Sequence, residues 1–440
     1  MWPQEHFCRL GDVLARQVLE VDDRSDLAAI PIIEKISFGG IVSVTEPDER
    51  ANYKGRLFWA EVGDLIYSKI RVKQGSLAIV SADVGRIAVS AEYPVYRPVE
   101  SKVVPEYLAL LLKSSSFLRF LDGLSSGGAT KTRIAPDVFE SLTIALPPLA
   151  TQRAIVAHWR AAQESLAATA QTNDEHEAAI RRNFLEALGL SDRLQVINRR
   201  AFALRWTEFE RWGVEQARKV SGSLDPAESR FPVVRLREII AGLQNGWSPK
   251  CFDRPAGADE WGVLKLGAVS FGTFNENENK ALPSSFTPLL AHEVKPDDVL
   301  FIRGNVLRLV GACSHVATTR PRLMMPDLVF RAVFREESEI DRRYLAEVMR
   351  TPHLRQQIEA VATGTSPTMK KISKPGLLAL RLPLPPLAIQ RQLVAEVTAP
   401  RARIAAARAA AAQLAADTAR EVEEMILGVR PALTTRTAKS

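Results

Sequence analysis

Apolar residues are arranged along this chain in two styles, and each style occurs twice. Short runs rich in β-branched and aromatic residues, at 65–70 (Leu-Ile-Tyr-Ser-Lys-Ile) and 77–80, predict strands. Similar runs return at 299–302 and 328–334. Helical spacing of apolar positions follows each set, over 107–121 and over 344–362. Two much longer helices are then predicted. Between Thr151 and Gly189 there is neither proline nor glycine, and Ile155, Trp159, Ala162, Leu166, Thr169, Asn173, His176, Ile180 and Ala187 follow a roughly heptad path. At 1.5 Å per residue that helix is about 55 Å long. The second runs from about Ala388 to Gly428, is rich in alanine, and places Ile404, Ala411, Leu414, Val422 and Met425 on one side. Pro400 inside it predicts a kink or a restart. Thr169, Asn173 and His176 are polar members of the first seam, expected to fix register or to face solvent.

The doubling extends to residue identity. Leu146-Pro147-Pro148-Leu149-Ala150-Thr151-Gln152-Arg153 matches Leu384-Pro385-Pro386-Leu387-Ala388-Ile389-Gln390-Arg391 at seven of eight positions. Upstream, Ser37-Phe38-Gly39-Gly40 pairs with Ser270-Phe271-Gly272-Thr273, Gly63-Asp64-Leu65-Ile66-Tyr67 with Asp297-Asp298-Val299-Leu300-Phe301, and the segment around Tyr107 with that around Tyr344. All pairs keep their order at nearly constant separation, so the chain is read as a duplication. The fold class expected is α+β: two duplicated mixed α/β domains joined by two long antiparallel, coiled-coil-like helices in a pseudo-twofold arrangement. The expected boundaries are 1–148 for the first domain, 149–190 for its helix, and 191–231 for a helical extension and linker containing Trp206, Phe209 and Trp212. The second domain is expected at 232–386, its helix at 387–430, and a disordered tail at 431–440.

A net charge of +7 permits a polyanionic partner without requiring one. The three cysteines, Cys8, Cys251 and Cys313, are far apart and in no Cys-x-x-Cys pair, which argues against a disulfide framework or a zinc site. No signal peptide or membrane-length apolar run is evident, so a soluble, cytoplasmic protein with no membrane partner is expected.

The sequence gives little support for catalysis. It has no phosphate-binding Gly-x-x-x-x-Gly-Lys-Ser/Thr loop and no Gly-x-Gly-x-x-Gly after a strand. An Asn/Asp-Pro-Pro-Tyr/Phe tetrapeptide of the amino-methyltransferase kind is also missing. His176-Glu177 opens like a zincin motif, but Ile180 stands where a second histidine belongs. Glu278-Asn279-Lys280 and Glu293-Val294-Lys295 have the spacing of a nuclease Glu-x-Lys, with Asp259 as a third member for Lys280, but neither copy recurs in the other repeat.

Basic loops that follow the strands recur in both halves. In the first half they are Lys69, Arg71, Lys73 and Gln74, and then Thr130, Lys131 and Arg133. In the second they are Arg303, Asn305 and Arg308, and then Thr368, Lys370 and Lys371. Lysines and arginines grip phosphates, while arginine, asparagine and glutamine can read base edges bidentately. Each of these residues taken singly is better explained as a solvated surface charge. Recurrence at matching places makes the loops candidates for contact with double-stranded DNA. Two readers on a helical spacer would measure the distance between two short stretches of sequence. The alternatives are a stand-alone DNA endonuclease and a helical scaffold without DNA specificity.

The twice-used Leu-Pro-Pro-Leu-Ala-x-Gln-Arg, followed each time by a long helix, resembles the specificity subunits of type I restriction-modification systems. Each copy follows a glycine-containing loop, 126–130 or 364–368. The resemblance covers nearly the whole chain. It implies a non-catalytic, phage-defence DNA-binding subunit whose two target-recognition domains each read half of a bipartite target with a fixed spacer. It also implies two DNA methyltransferase subunits and restriction/translocase subunits as partners. S-adenosylmethionine, ATP and Mg would then belong to those partners, with no cofactor in this chain. Gln152, Arg153, Gln390 and Arg391 would mark the junctions of domain and helix as structural residues. Pro400 and the 191–231 stretch depart from a fully regular pair of helices.

Overall fold

The computed structural model describes residues 2–22, 29–45, 53–123, 133–191, 229–366 and 369–432. The aromatic segment with Trp206, Phe209 and Trp212, the tail beyond 432, and Thr130, Lys131 and Thr368 lie outside the described residues. The chain divides into two compact units, Met1–Gln171 with Ala407–Ser440, and Thr172–Ala406.

The strands of the first unit are β1 (Phe7–Arg9), β2 (Leu14–Gln17), β3 (Ile33–Ile36), β4 (Val42–Val44), β5 (Leu57–Ala60), β6 (Leu65–Tyr67), β7 (Leu77–Ile79), β8 (Ile87–Ser90), β9 (Val95–Pro98) and β10 (Thr143–Ala145). Helices α1 (Pro105–Lys113), α2 (Ser115–Gly123) and α3 (Pro136–Ser141) lie between β9 and β10, and the long α4 (Leu149–Leu188) follows. The central sheet has the order β2-β9-β6-β7, and β1 pairs antiparallel with β10.

The second unit repeats this plan. It contains β11 (Val233–Arg235), α5 (Leu236–Ile239), β12 (Ile240–Asn245), β13 (Gly262–Leu264), β14 (Val269–Ser270), β15 (Thr273–Phe274), β16 (Asn279–Ala281), β17 (Val299–Ile302), β18 (Gly304–Asn305), β19 (Cys313–His315), β20 (Leu323–Met324) and β21 (Val329–Phe334). Then come α6 (Arg342–Val348), α7 (Pro352–Val361), β22 (Lys370–Lys371), α8 (Lys374–Leu378), β23 (Arg381–Pro383) and the long α9 (Leu387–Ile426). Its central sheet is β12-β21-β17-β19, and β11 pairs with β23, so strand for strand the two sheets correspond. The units differ beside that sheet: the first carries the pair β5-β8, the second a three-stranded β16-β13-β20 in which β13 and β20 are parallel.

The correspondence reaches single hydrogen bonds. In the first unit Asp64 Oδ2 accepts from Glu61 N at 2.9 Å while Arg97 Nε donates to its Oδ1 at 2.9 Å. In the second, Asp298 Oδ2 accepts from Lys295 N at 2.9 Å and from an Arg331 guanidinium nitrogen at 2.9 Å. The residue before each aspartate has positive φ, 92° at Gly63 and 73° at Asp297, because each closes the tight turn that feeds the central strand. Tyr107 and Tyr344 are fully buried and donate their hydroxyls to Ala145 O (3.0 Å) and Pro383 O (2.8 Å), the last residues of β10 and β23.

The single helical stretches expected over 107–121 and 344–362 are each two helices. Ser114 Oγ donates to Leu111 O and Thr351 Oγ1 to Val348 O, both at 2.7 Å, and Pro352 opens α7. Such hydroxyls offer the preceding turn a partner that ends it, and proline is favoured at the first position of a new helix. Likewise the expected strand at 65–70 stops at Tyr67, and Ser68 begins a turn by accepting from the amides of Arg71 and Val72.

Both long helices contribute to both units. In the first, Ile155 and Val156 of α4 share a core with Val422, Met425 and Ile426 of α9. In the second, Ile180, Phe184, Leu185 and Leu188 share a core with Leu393, Val394, Val397 and Ile404. His158 meets Glu421 (2.9 Å) and Glu177 meets Arg401 (3.6 Å), so α4 and α9 run antiparallel. Of the kink or restart expected at Pro400, the restart does not occur: α9 is continuous across it, anchored on both sides by Val397 and Ile404 in one core. The expected seam needs one correction. Leu414 is 40% exposed, and buried Thr418 takes the inward place instead. Of the polar seam members of α4, Asn173 is buried and His176 is exposed. Among the described residues no helix is long and apolar enough to cross a membrane.

Candidate nucleic-acid interface

The two candidate loops of each half, picked far apart in sequence, are joined in the structure. In the first unit Ile134 N donates to Lys69 O at 2.9 Å, and in the second Ile372 N donates to Arg303 O at 2.9 Å. Ile134 and Ile372 are buried, so the residue before each, Arg133 or Lys371, is fixed beside the loop that leaves the central strand. The second unit extends this link into a short ladder, in which Gly304 pairs with Lys371 and Asn305 with Lys370.

In the first unit the loop winds around Glu92. Its Oε1 accepts from Ile70 N at 3.0 Å, and Arg133 donates to its Oε2. Lys69 Nζ donates to Ala91 O at 2.5 Å. Burial, and then the neighbouring Arg133 charge, pushes the Lys69 ammonium below the usual lysine range. Arg16 of β2 adds a further positive charge that Lys69 feels. Arg71, Gln74 and Arg133 are exposed, and Lys69 and Lys73 are half-buried.

In the second unit Arg303 lies over the Phe330 ring at 5.6 Å, and Lys374 Nζ approaches the same ring at 5.9 Å. Asn305 turns its Oδ1 back to the amide of Val306 (2.8 Å), and Lys370 Nζ donates to Gly364 O (2.6 Å). Arg308 and Lys371 are exposed. Arg308 also lines a cleft of about 350 Å³ together with Arg181, Arg350, Arg355 and Arg401. The cleft is not a bare cationic site: Glu177, Glu347 and Glu359 pair with Arg350, Arg401 and Arg355.

Sequence reasoning missed Arg16, Glu92 and Lys374. Arg16 lies on β2, Glu92 in the turn between β8 and β9, and Lys374 at the start of α8, and only the tertiary packing brings them to the loops. The nuclease-like tripeptides are engaged elsewhere. Lys280 pairs with Asp253 at 2.7 Å, Asp259 faces Arg322 at 3.6 Å, and Glu293 accepts from Arg322 N at 2.8 Å. Among the described residues no group of three or more His, Cys, Asp or Glu could hold a metal ion.

The junction glutamines are the most closely duplicated feature. Buried Gln152 accepts from Val104 N (2.8 Å) and donates to Lys102 O (3.1 Å) and Pro147 O (2.8 Å). Buried Gln390 accepts from Asp341 N (2.8 Å) and donates to Glu339 O (2.8 Å) and Pro385 O (2.7 Å). Each side chain uses one acceptor and both donors to tie the start of a long helix to the segment before α1 or α6.

No family model matches the chain. It is 26% identical over 408 residues to the EcoEI type I restriction enzyme specificity subunit of Escherichia coli, covering 78% of this chain and 68% of that protein. Against the EcoKI specificity subunit of Escherichia coli K12 it is 25% identical over 305 residues, 69% of this chain and 60% of that one. The chain is a relative of type I restriction specificity subunits. A solved structure described as the basis of complex assembly and conformational transition of a type I R-M system shares the fold, with a TM-score of 0.54, 18% identity and 96% of both chains covered. In this chain the paired Gln152 and Gln390 brackets sit at the bases of the two long helices, and the basic loops sit on the globular parts.

Proposed function

We propose that this chain is the DNA-specificity subunit of a type I restriction-modification complex. Each unit reads one half of a bipartite target, and the shared helices hold the unread gap constant. The observation that carries this reading is the duplication itself. The same scaffold, with the same glutamine bracket and the same junction of two basic loops, occurs twice on one pair of helices in a relative of such subunits. Lys69, Arg71, Lys73, Arg133, Lys370 and Lys371 supply phosphate contacts, with Thr130, Lys131 and Thr368 in the same loops. Gln74, Arg303, Asn305 and Arg308 are the candidates for base reading, because amide and guanidinium groups match the donor and acceptor pattern of the major groove. Methylation and cleavage fall to partner subunits, two methyltransferase and further restriction/translocase chains. S-adenosylmethionine, ATP and Mg act on those chains.

A tagged copy expressed in its source cells tests this directly. The proposal expects a methyltransferase to co-purify, and the complex to transfer labelled methyl groups to plasmid DNA from S-adenosylmethionine. Purified chain cutting plasmid with magnesium and no partner would overturn it in favour of an endonuclease. A pull-down without methyltransferase and without salt-sensitive DNA binding would favour a scaffold.

A further inference from the structure

The recognition loop of the second unit is clasped by a single arginine. After Asn305 the backbone makes one helical turn, in which Leu309 N and Val310 N both donate to Val306 O at 2.9 and 3.0 Å. No backbone amide of the described residues donates to the carbonyls of Leu307 or Val310. Both need a partner if the turn is to stay in one place. Arg355 of α7 provides it, donating to Val310 O at 2.6 Å and to Leu307 O at 3.1 Å. Its guanidinium lies over the Phe271 ring, 4.9 Å from the centroid, and the Nη2 that bonds Leu307 O also lies 3.7 Å from Glu359. A planar, forked cation can lie flat on a ring and bond two carbonyls from fixed positions, whereas an ammonium keeps the charge and its donors but lacks the flat face and the rigid fork. The turn so held lies between Asn305 and Val310 and carries the exposed Arg308, which has no ion pair among the described residues.

The first unit holds its loop differently. Leu118 stands in the place of Arg355, since it follows Ser114 at the same interval as Arg355 follows Thr351. There the loop is closed by its own amides, Gln74 N to Arg71 O and Gly75 N to Val72 O, and by Ser76 Oγ donating to Ile36 O at 2.7 Å. Gly75 is needed because its φ is 88° and a Cβ would lie 2.7 Å from Phe38 O.

We infer that Arg355 is a positioning residue for sequence reading by the second unit alone. It fixes the turn that presents Asn305 and Arg308, and its loss relaxes one half of the target while leaving the other half and the gap intact. The inference rests on the specificity-subunit reading. The test is a long-read methylome of the source cells carrying wild type, Arg355→Met, Arg355→Lys or Phe271→Leu in the full chain, with thermal melting of each purified variant. Wild type must first give a bipartite motif that depends on the gene. If it does not, the specificity reading fails rather than this one. Given that motif, Arg355→Met is expected to raise methylation about ten-fold at sites with one changed base in one half only, the scale of a lost bidentate contact. Arg355→Lys should restore part of the discrimination, and Phe271→Leu should relax the same half. An unchanged motif in all three variants would overturn the inference. So would loss of both halves together with a lowered melting temperature, which would make Arg355 a purely structural residue.

Discussion

Replacing Gln152 by leucine removes one acceptor and two donors from a buried junction without opening a large cavity. The Pro147 carbonyl is buried and loses its donor, which costs about 1–3 kcal/mol, and the partly exposed Val104 amide and Lys102 carbonyl cost about 1 kcal/mol each after rehydration. The sum is about 3–5 kcal/mol. At roughly 2–4 °C per kcal/mol for a unit of this size, the transition of the first unit should fall by about 6–20 °C. Gln390→Leu makes the matching change in the second unit, where Pro385 O, Glu339 O and Asp341 N lose their partners. Calorimetry of the full chain reads both. Each variant should lower one transition, and the double variant should show both losses additively, because the two brackets share no partner. A melting temperature within about 2 °C of wild type for either single variant would refute the argument that these glutamines hold helix to domain.

Other consequences follow from the same geometry. Arg331→Met should destabilise more than Arg97→Met in urea unfolding, because the Arg331–Asp298 pair is 12% and 16% exposed while Arg97 is 53% exposed. Asp341 is partly buried, which opposes ionisation, but bonds from Arg343 and the α6 amides hold its pKa below the ordinary value. A depressed carboxylate contributes stability that is present above its unfolded pKa and lost as pH falls through the folded one. Asp341→Asn should therefore flatten the acid limb of the stability curve below about pH 4. Arg71→Ala should weaken DNA binding by the assembled complex alike on all sequences and reduce the slope of log K against log salt by about 1, as for a phosphate contact.

The duplication was legible because the residues that build the junctions are chemically demanding. Gln152 and Gln390 each need three partners at fixed places, and the Pro-Pro before them sets the chain direction, so both copies keep the same letters. The strands around Leu65 and Val299 were readable from their apolar runs, since both are buried on both faces. The central sheet order was not readable, because β2 and β12 must cross the unit to meet β9 and β21, and nothing local encodes that pairing. The helix breaks at Ser114 and Thr351 were hidden because one hydroxyl ends a turn without interrupting the apolar spacing. Leu414 misled for the opposite reason: an alanine-rich helix has many faces on which one leucine fits the heptad count, and Thr418 is the residue that turns inward. The basic loops were found singly but not their environment. Glu92, Phe330 and Lys374 reach Arg133 and Arg303 only through tertiary packing.

The central claim is that one chain carries two readers of one split DNA target. Its most direct test is the methylome of the source cells with this gene present and deleted, read by long-read sequencing. The account predicts a bipartite motif with a constant unread gap, methylated only when the gene is present. Identical methylation with and without the gene, in cells shown to express the chain with its methyltransferase, would contradict it.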